Sequence, residues 1–126
     1  MNREILFRAK SSQSWCYGYV HKDYESPMPN KWRLTTAYGD VKVINSDTIG
    51  EWTGLLDKNN VMIFEGDIVK TNQYQRLIGT DTFTIEFVEG NYYLCHKRCT
   101  VWTLRSFIEE VEIVGNKYDN PELIEK

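Results

Sequence analysis

Residues 51–70 read Glu-Trp-Thr-Gly-Leu-Leu-Asp-Lys-Asn-Asn-Val-Met-Ile-Phe-Glu-Gly-Asp-Ile-Val-Lys. Two turn signals, at residues 57–60 and 65–67, are set around three short apolar runs. That spacing is the pattern of a tight antiparallel β-meander, with strands at 52–56, 61–64 and 68–72. A second stretch points the same way. Residues 82–88 alternate cleanly, with Phe83, Ile85 and Phe87 on one side and Thr82, Thr84 and Glu86 on the other, which is the period of a half-buried strand. Gly90 and Asn91 tolerate positive φ and supply the turn into a partner strand at 92–95.

The rest of the chain is also strand-like. Residues 4–9 open a strand, 11–14 form a polar turn, and the aromatic run 15–20 pairs back as a hairpin. Pro27, Pro29 and Asn30 among charges mark 21–31 as a loop, because proline removes backbone donors. A hairpin at 34–44 turns at Gly39-Asp40, and 45–50 is a polar joint. Only residues 102–110 suit a helix: Leu104, Phe107 and Ile108 fall at helical spacing. Glu109 and Glu110 sit badly at its negative end, so it should be about two turns long. A strand at 111–114 follows, and a tail begins near 116.

With 126 residues, the chain reads as one domain, 1–126, mainly β. The expected fold is a small, partly open antiparallel barrel, SH3-like by analogy, with one short C-terminal helix. An α+β arrangement is the alternative if 32–50 are helical. The N-terminus has no apolar run ending in a cleavage site, and no stretch of about eighteen apolar residues exists. Three cysteines, an odd number, then read as reduced thiols in a cytosol.

Charge is uneven. Residues 1–45 hold seven basic and four acidic side chains; residues 46–126 hold eight basic and fourteen acidic. Any surface for nucleic acid would therefore lie on the first third, around Arg3, Arg8, Lys10, Lys31 and Arg33. Trp15, Tyr17, Tyr19, Trp32 and Tyr38 lie in the same third, and rings beside cations are what single-strand binders use. The plainer reading of these rings is a core filled by aromatics, and of these charges, solvated strand faces.

Three segments resemble the YopX family of phage and prophage proteins. They are Trp52-Thr53-Gly54-Leu55 with Asp57-Lys58-Asn59; Phe64-Glu65-Gly66-Asp67-Ile68-Val69; and Val114-Gly115-Asn116 followed by Tyr118-Asp119-Asn120-Pro121-Glu122-Leu123. The opening Glu4-Ile5-Leu6-Phe7-Arg8-Ala9 is similar to that family's start. Asn60 stands where the family usually has Gly, and Lys10-Ser11 where it has an aromatic and an acid; Asn keeps the turn because it accepts left-handed geometry. The resemblance implies a small β-rich accessory protein of the bacterial cytoplasm, with no catalytic residues to carry over.

Chemistry-bearing clusters are few. Asp57, Glu65 and Asp67 could bind a metal or share acid–base work in a small hydrolase, or could simply open turns. Cys95, His96 and Cys99 could hold zinc only if Cys16 and His21 completed the set. No Gly-x-Ser-x-Gly, phosphate loop or His-Glu-x-x-His is present. The reading is a non-enzymatic interaction module without cofactor or membrane span. Its partner is a host or phage macromolecule, nucleic acid is the alternative, and a homo-oligomer is expected from its tail. Gly54, Asp57, Asn59, Glu65, Gly66, Asp67, Gly115, Asn116 and Pro121 serve as the structural motif. Trp15, Tyr17, Tyr19, Trp32 and Arg33 are the candidate surface.

Overall fold

Eleven strands and three turns of 3-10 helix make up the described part of the chain. The computed structural model describes residues 6–71, 81–96, 99–107 and 110–124. Strand accounts for 54% and helix for 9%, so the mainly β expectation holds and the α+β alternative does not. The strands form two antiparallel sheets rather than a closed barrel. The chain divides into two compact units, residues 1–52 and 53–126. Among the described residues no helix is long and apolar enough to cross a membrane.

The first unit is built on β1 (Phe7–Ser11), β2 (Ser14–Lys22), β3 (Trp32–Thr36), β4 (Val41–Val43) and the start of β5 (Gly50–Leu56). They lie in the order β4-β3-β2-β1-β5. Register puts Ala9 opposite Cys16 and Val20 opposite Leu34. Ala9, Leu34 and Ile44 are fully buried, with Cys16, Val20, Trp32 and Ile49 packed against them. Burial of Leu34 and of Ile44 contributes about 1.5–3 kcal/mol each, and that of the Ala9 methyl about 0.8 kcal/mol. Among the described residues these three make a small core, which the strand ladder and polar clamps supplement. One clamp is the polar joint: Lys10 N–H donates to Thr48 Oγ1 (2.8 Å), and Asn45 N–H to the Lys10 carbonyl (2.9 Å).

The second unit has the larger core. It contains the end of β5, then β6 (Met62–Phe64), β7 (Asp67–Lys70), β8 (Thr82–Val88), β9 (Asn91–His96), β10 (Cys99–Thr103) and β11 (Glu112–Asn116). Strands β10-β9-β8-β7-β11 form its five-stranded sheet. Ile63, Val69, Phe83, Ile85, Leu94, Leu104 and Val111 are buried together. Ile68 is buried as well, so both residues of the Ile68-Val69 pair are inside.

Local differences from the sequence reading have physical causes. Residues 52–72 are not a three-strand meander: β6 and β7 belong to different sheets. The Gly66 N–H donates to the Ile85 carbonyl (2.8 Å), which turns the chain toward β8. Asn72 lies outside the described residues, as do residues 4 and 5 of the opening strand. In β8, Phe83 and Ile85 are buried, but Phe87 is 50% exposed, because it stands past the core and packs on Tyr92 instead (centroids 5.0 Å). The β8–β9 turn sits one residue earlier than expected: Glu89 and Gly90 take φ +48° and +88°, and Asn91 already pairs with Val88. Two-residue hairpin loops of this kind need positive φ at both positions. The expected helix at 102–110 is one 3-10 turn, Leu104–Phe107, because β10 continues to Thr103; Ile108 and Glu109 fall outside the described residues.

One close approach sets a limit on β2. A Cβ at Gly18 would stand 2.0 Å from the Thr35 carbonyl oxygen, a backbone atom that can yield only if β2 and β3 separate. Gly18→Ala should therefore lower stability by about 1–3 kcal/mol in urea unfolding. An unchanged midpoint would show that the two strands are not packed this closely.

Candidate functional site

The three carboxylates single themselves out first, and the structure brings two of them to the backbone rather than to one another. Asp57 is 5% exposed. Its Oδ1 accepts from the N–H groups of Asn59 (2.8 Å) and Val61 (2.9 Å), and its Oδ2 accepts from the Ile113 N–H (3.0 Å). Its own N–H donates to the Val61 carbonyl, and its carbonyl accepts from Asn60. The carboxylate thus closes the β5–β6 turn with one oxygen and holds β11 with the other. Asn60 takes φ +65°, the left-handed geometry expected of it. Asp67 is 2% exposed, and its Oδ2 accepts from the Phe64 N–H (2.8 Å) across the two-residue turn containing Gly66 at φ +92°.

The remaining motif residues extend this frame. Thr53 donates its hydroxyl to the Ile63 carbonyl, and Gly54 takes φ +86° in β5. Lys58 and Asn59 both reach Glu112 of β11, at 3.4 Å each. At the other end, the Asn116 side chain accepts from the N–H groups of Tyr118 and Asp119 (both 3.0 Å). Asn120 Oδ1 accepts from the Asn116 N–H (3.2 Å) and lies where a Cβ on Gly115 would need to be, 2.6 Å away. Tyr118 lies over Gly66, whose Cβ would meet its ring at 3.1 Å, and the Lys117 N–H donates to the Gly66 carbonyl. The chain through Asn120 is therefore a clasp on its own unit. Pro121 begins the 3-10 turn Pro121–Leu123, whose residues are exposed.

Lys117 reports on the clasp electrostatically. Its ammonium lies 3.4 Å from Glu86 Oε1 and 5.4 Å from the Tyr118 ring centre. Burial pulls the ammonium's pKa down, but Glu86, the Tyr118 phenol and Glu65 outweigh it and hold it above the usual 10.5. Glu65 is half-buried and takes part in the site in this way.

The thiols fall in different units. Cys16 faces the first core, and Cys95 is buried in β9 of the second, where its Sγ lies 3.9 Å from the Tyr93 carbonyl oxygen. His96 packs edge-on to Phe83, with ring centres 6.3 Å apart. The Cys99 side chain lies outside the described residues. Among those described, no group of three or more His, Cys, Asp or Glu is placed to hold a metal ion.

The candidate surface residues of the first unit fall in different settings. Odd positions of β2, namely Trp15, Tyr17, Tyr19 and His21, alternate away from the core that Cys16 and Val20 face. Tyr17 is 48% and Tyr19 61% exposed, so these rings do not fill the core. Trp15 is half-buried, with the Arg8 guanidinium 4.6 Å and the Lys10 ammonium 5.5 Å from its ring centre. Trp32 belongs to the other face: it packs on the core and takes the Lys22 ammonium at 4.8 Å. Arg33 is a correction. It is 7% exposed, and its guanidinium donates to the carbonyls of Asn30 (2.7 Å) and Trp32 (2.9 Å) and to Ser26 Oγ (3.1 Å). It clamps the proline loop and offers nothing to a partner.

Sequence reading missed four members of this face. His21 Nε2 and Thr35 Oγ1 lie 2.8 Å apart on neighbouring strands, and Val41 and Val43 of β4 are exposed beside them. Strand alternation carried on from Tyr17 and Tyr19 would have found His21. Nothing in the sequence announces the cross-strand partners.

The chain belongs to the YopX family: the family model described as YopX protein matches residues 6–125, nearly its whole length. A comparison with curated proteins found no match. Among solved structures, the chain is similar to protein EF1440 from Enterococcus faecalis, at a TM-score of 0.58 and 21% identity. The match covers 98% of this chain and all of that one. At that identity the likeness concerns the fold alone.

Two outcomes test this frame. Asp57→Ala strands three backbone donors and should cost at least about 2 kcal/mol in urea unfolding, with Asp57→Asn costing less because one acceptor oxygen remains. A change within about 0.5 kcal/mol would contradict the role assigned to the carboxylate. Lys117 is held above its unfolded pKa, so its contribution is complete below about 10.5 and fades as pH rises through the folded value. The stability gap between wild type and Lys117→Met should be constant from about pH 7 to 9 and shrink above about 10.5. A gap that persists unchanged at about pH 12 would place its origin in the side chain's packing.

Proposed function

We propose that this YopX-family chain is a non-enzymatic binding module, an accessory protein of a phage or prophage in the bacterial cytoplasm. It meets a host or phage macromolecule with the outer face of the first-unit sheet. One observation carries the reading: Tyr17 and Tyr19 stand exposed side by side on β2, whose opposite face is committed to the core. Rings left in water at about 25 cal/mol per Å² of apolar surface are costly unless a partner covers them. The hydrolase reading loses its support, because the Asp57 and Asp67 oxygens accept from backbone amides.

A homo-oligomer has an observation of its own. Strand β4 is the edge of its sheet, and all three of its residues are exposed, which suits pairing with a second copy. The β4 lysine, Lys42, is the kind of edge charge that limits such pairing.

The test is a Tyr17→Ser/Tyr19→Ser double variant, immobilised beside the wild type in bacterial lysate. The wild type should retain a macromolecule that the variant, melting at the same temperature, does not. Equal retention by both would remove the face from the account. Light scattering of the same samples should show the variant's mass unchanged, because β4 is untouched.

A further inference from the structure

We propose that β4 pairs antiparallel with β4 of a second copy about a two-fold axis through Val41, so that Asp40 of each copy stands opposite Lys42 of the other. The proposal deepens the homo-oligomer reading and rests on it.

Backbone direction along this edge limits the possible registers. Thr36 N–H donates to the Asp40 carbonyl (2.9 Å), and Ile44 N–H donates to the Trp32 carbonyl (3.4 Å). Lys42 stands opposite Leu34 between them. Residues 40, 42 and 44 therefore direct their backbone groups toward β3, and Val41 and Val43 direct theirs off the sheet. When two such edges meet, outward groups face outward groups, so odd positions stand opposite odd ones and even opposite even. A two-fold axis must then pass through Val41, Lys42 or Val43.

Charge and chain path choose among the three. At Val43 the chain has already left the edge: Ile44 is buried, its carbonyl accepts from the Asn30 side-chain amide (2.9 Å), and Asn45 N–H donates to the Lys10 carbonyl. An axis at Lys42 sets two ammonium groups opposite each other in a non-hydrogen-bonded pair, where Cα atoms approach to about 4.5 Å and like charges destabilise. An axis at Val41 lets the two Val41 residues exchange a pair of backbone hydrogen bonds. It also places Asp40, the residue before β4, opposite Lys42 on either side of the axis, and both side chains are exposed. The edge is thus self-complementary in one register. Self-complementarity under a two-fold is the property that selects a second copy over an unrelated strand. The same pairing brings the exposed Val41 side chains together and joins the row Tyr19, Thr35, Val41 to its equal in the second copy. At three residues β4 is short, which puts the dimer in the weak, concentration-dependent class.

Sedimentation velocity of the full chain from about 10 μM to about 1 mM tests this. The mean mass should rise from monomer toward dimer across that range. Asp40→Lys and Lys42→Asp should each weaken the dimer by roughly fivefold or more, because each turns two attractive pairs into repulsive ones. The double variant Asp40→Lys/Lys42→Asp should recover it. An equimolar mixture of the two single variants should recover it too, since each supplies the charges the other lacks. Val41→Pro removes an N–H that faces the second copy and that β3 does not use, so it should give a monomer with the wild-type circular dichroism spectrum. A mass that rises with concentration but ignores Val41→Pro, or that falls with the single variants and is not recovered by the double one, would overturn the pairing and leave a homo-oligomer through another surface. A chain still monomeric at about 1 mM would overturn the proposal and the homo-oligomer reading together. Loss of a lysate protein by Val41→Pro would then assign the edge to a foreign strand.

Discussion

A single buried carboxylate, that of Asp57, fixes where the second unit's strands can go. A carboxylate removed from water is tolerable only when donors replace the lost hydration. Here the donors are backbone N–H groups at positions 59, 61 and 113. Two are local and define the turn; the third comes from a strand more than fifty residues later. Forming the turn correctly therefore creates the acceptor that β11 needs. Once β11 is placed, it pairs with β7, and β7 with β8.

The clasp follows from that placement. Gly115 and Asn116 end β11, and their lack of bulk or their side-chain amide lets the chain double back so that Tyr118 covers Gly66. Apart from the opening run that enters β1, the residues that carry the resemblance to the family are the two turns, the strand they position and the clasp. They describe how a unit folds. The proposed contact surface lies in the other unit, on a sheet face that these motif residues do not form. That division explains why a motif spanning much of the chain says so little about activity.

Much of the fold was legible because strand alternation and turn residues are local. The strand at 82–88 and the joint at 45–50 needed no tertiary information. Errors arose where a distant partner decided. Residues 52–72 look like a meander from their turns, but the Gly66 amide is taken by Ile85, and β7 leaves for another sheet. Phe87 keeps the right phase and still lies in water, because the core ends before it. Arg33 has the composition of a surface cation, and only the path of the proline loop buries it. In the candidate surface, Tyr17 and Tyr19 were legible as a pair, whereas Trp32, next to Arg33 in sequence, proved to face the core.

Native-state hydrogen exchange at the amides of Asn59, Val61 and Ile113 tests the role of Asp57 most directly. If one carboxylate holds all three, they open together, with the same free energy, in the cooperative unit that contains the core amides of β7 and β8. Fast exchange at Asn59 and Val61, as in an ordinary exposed turn, with Ile113 alone protected, would contradict it.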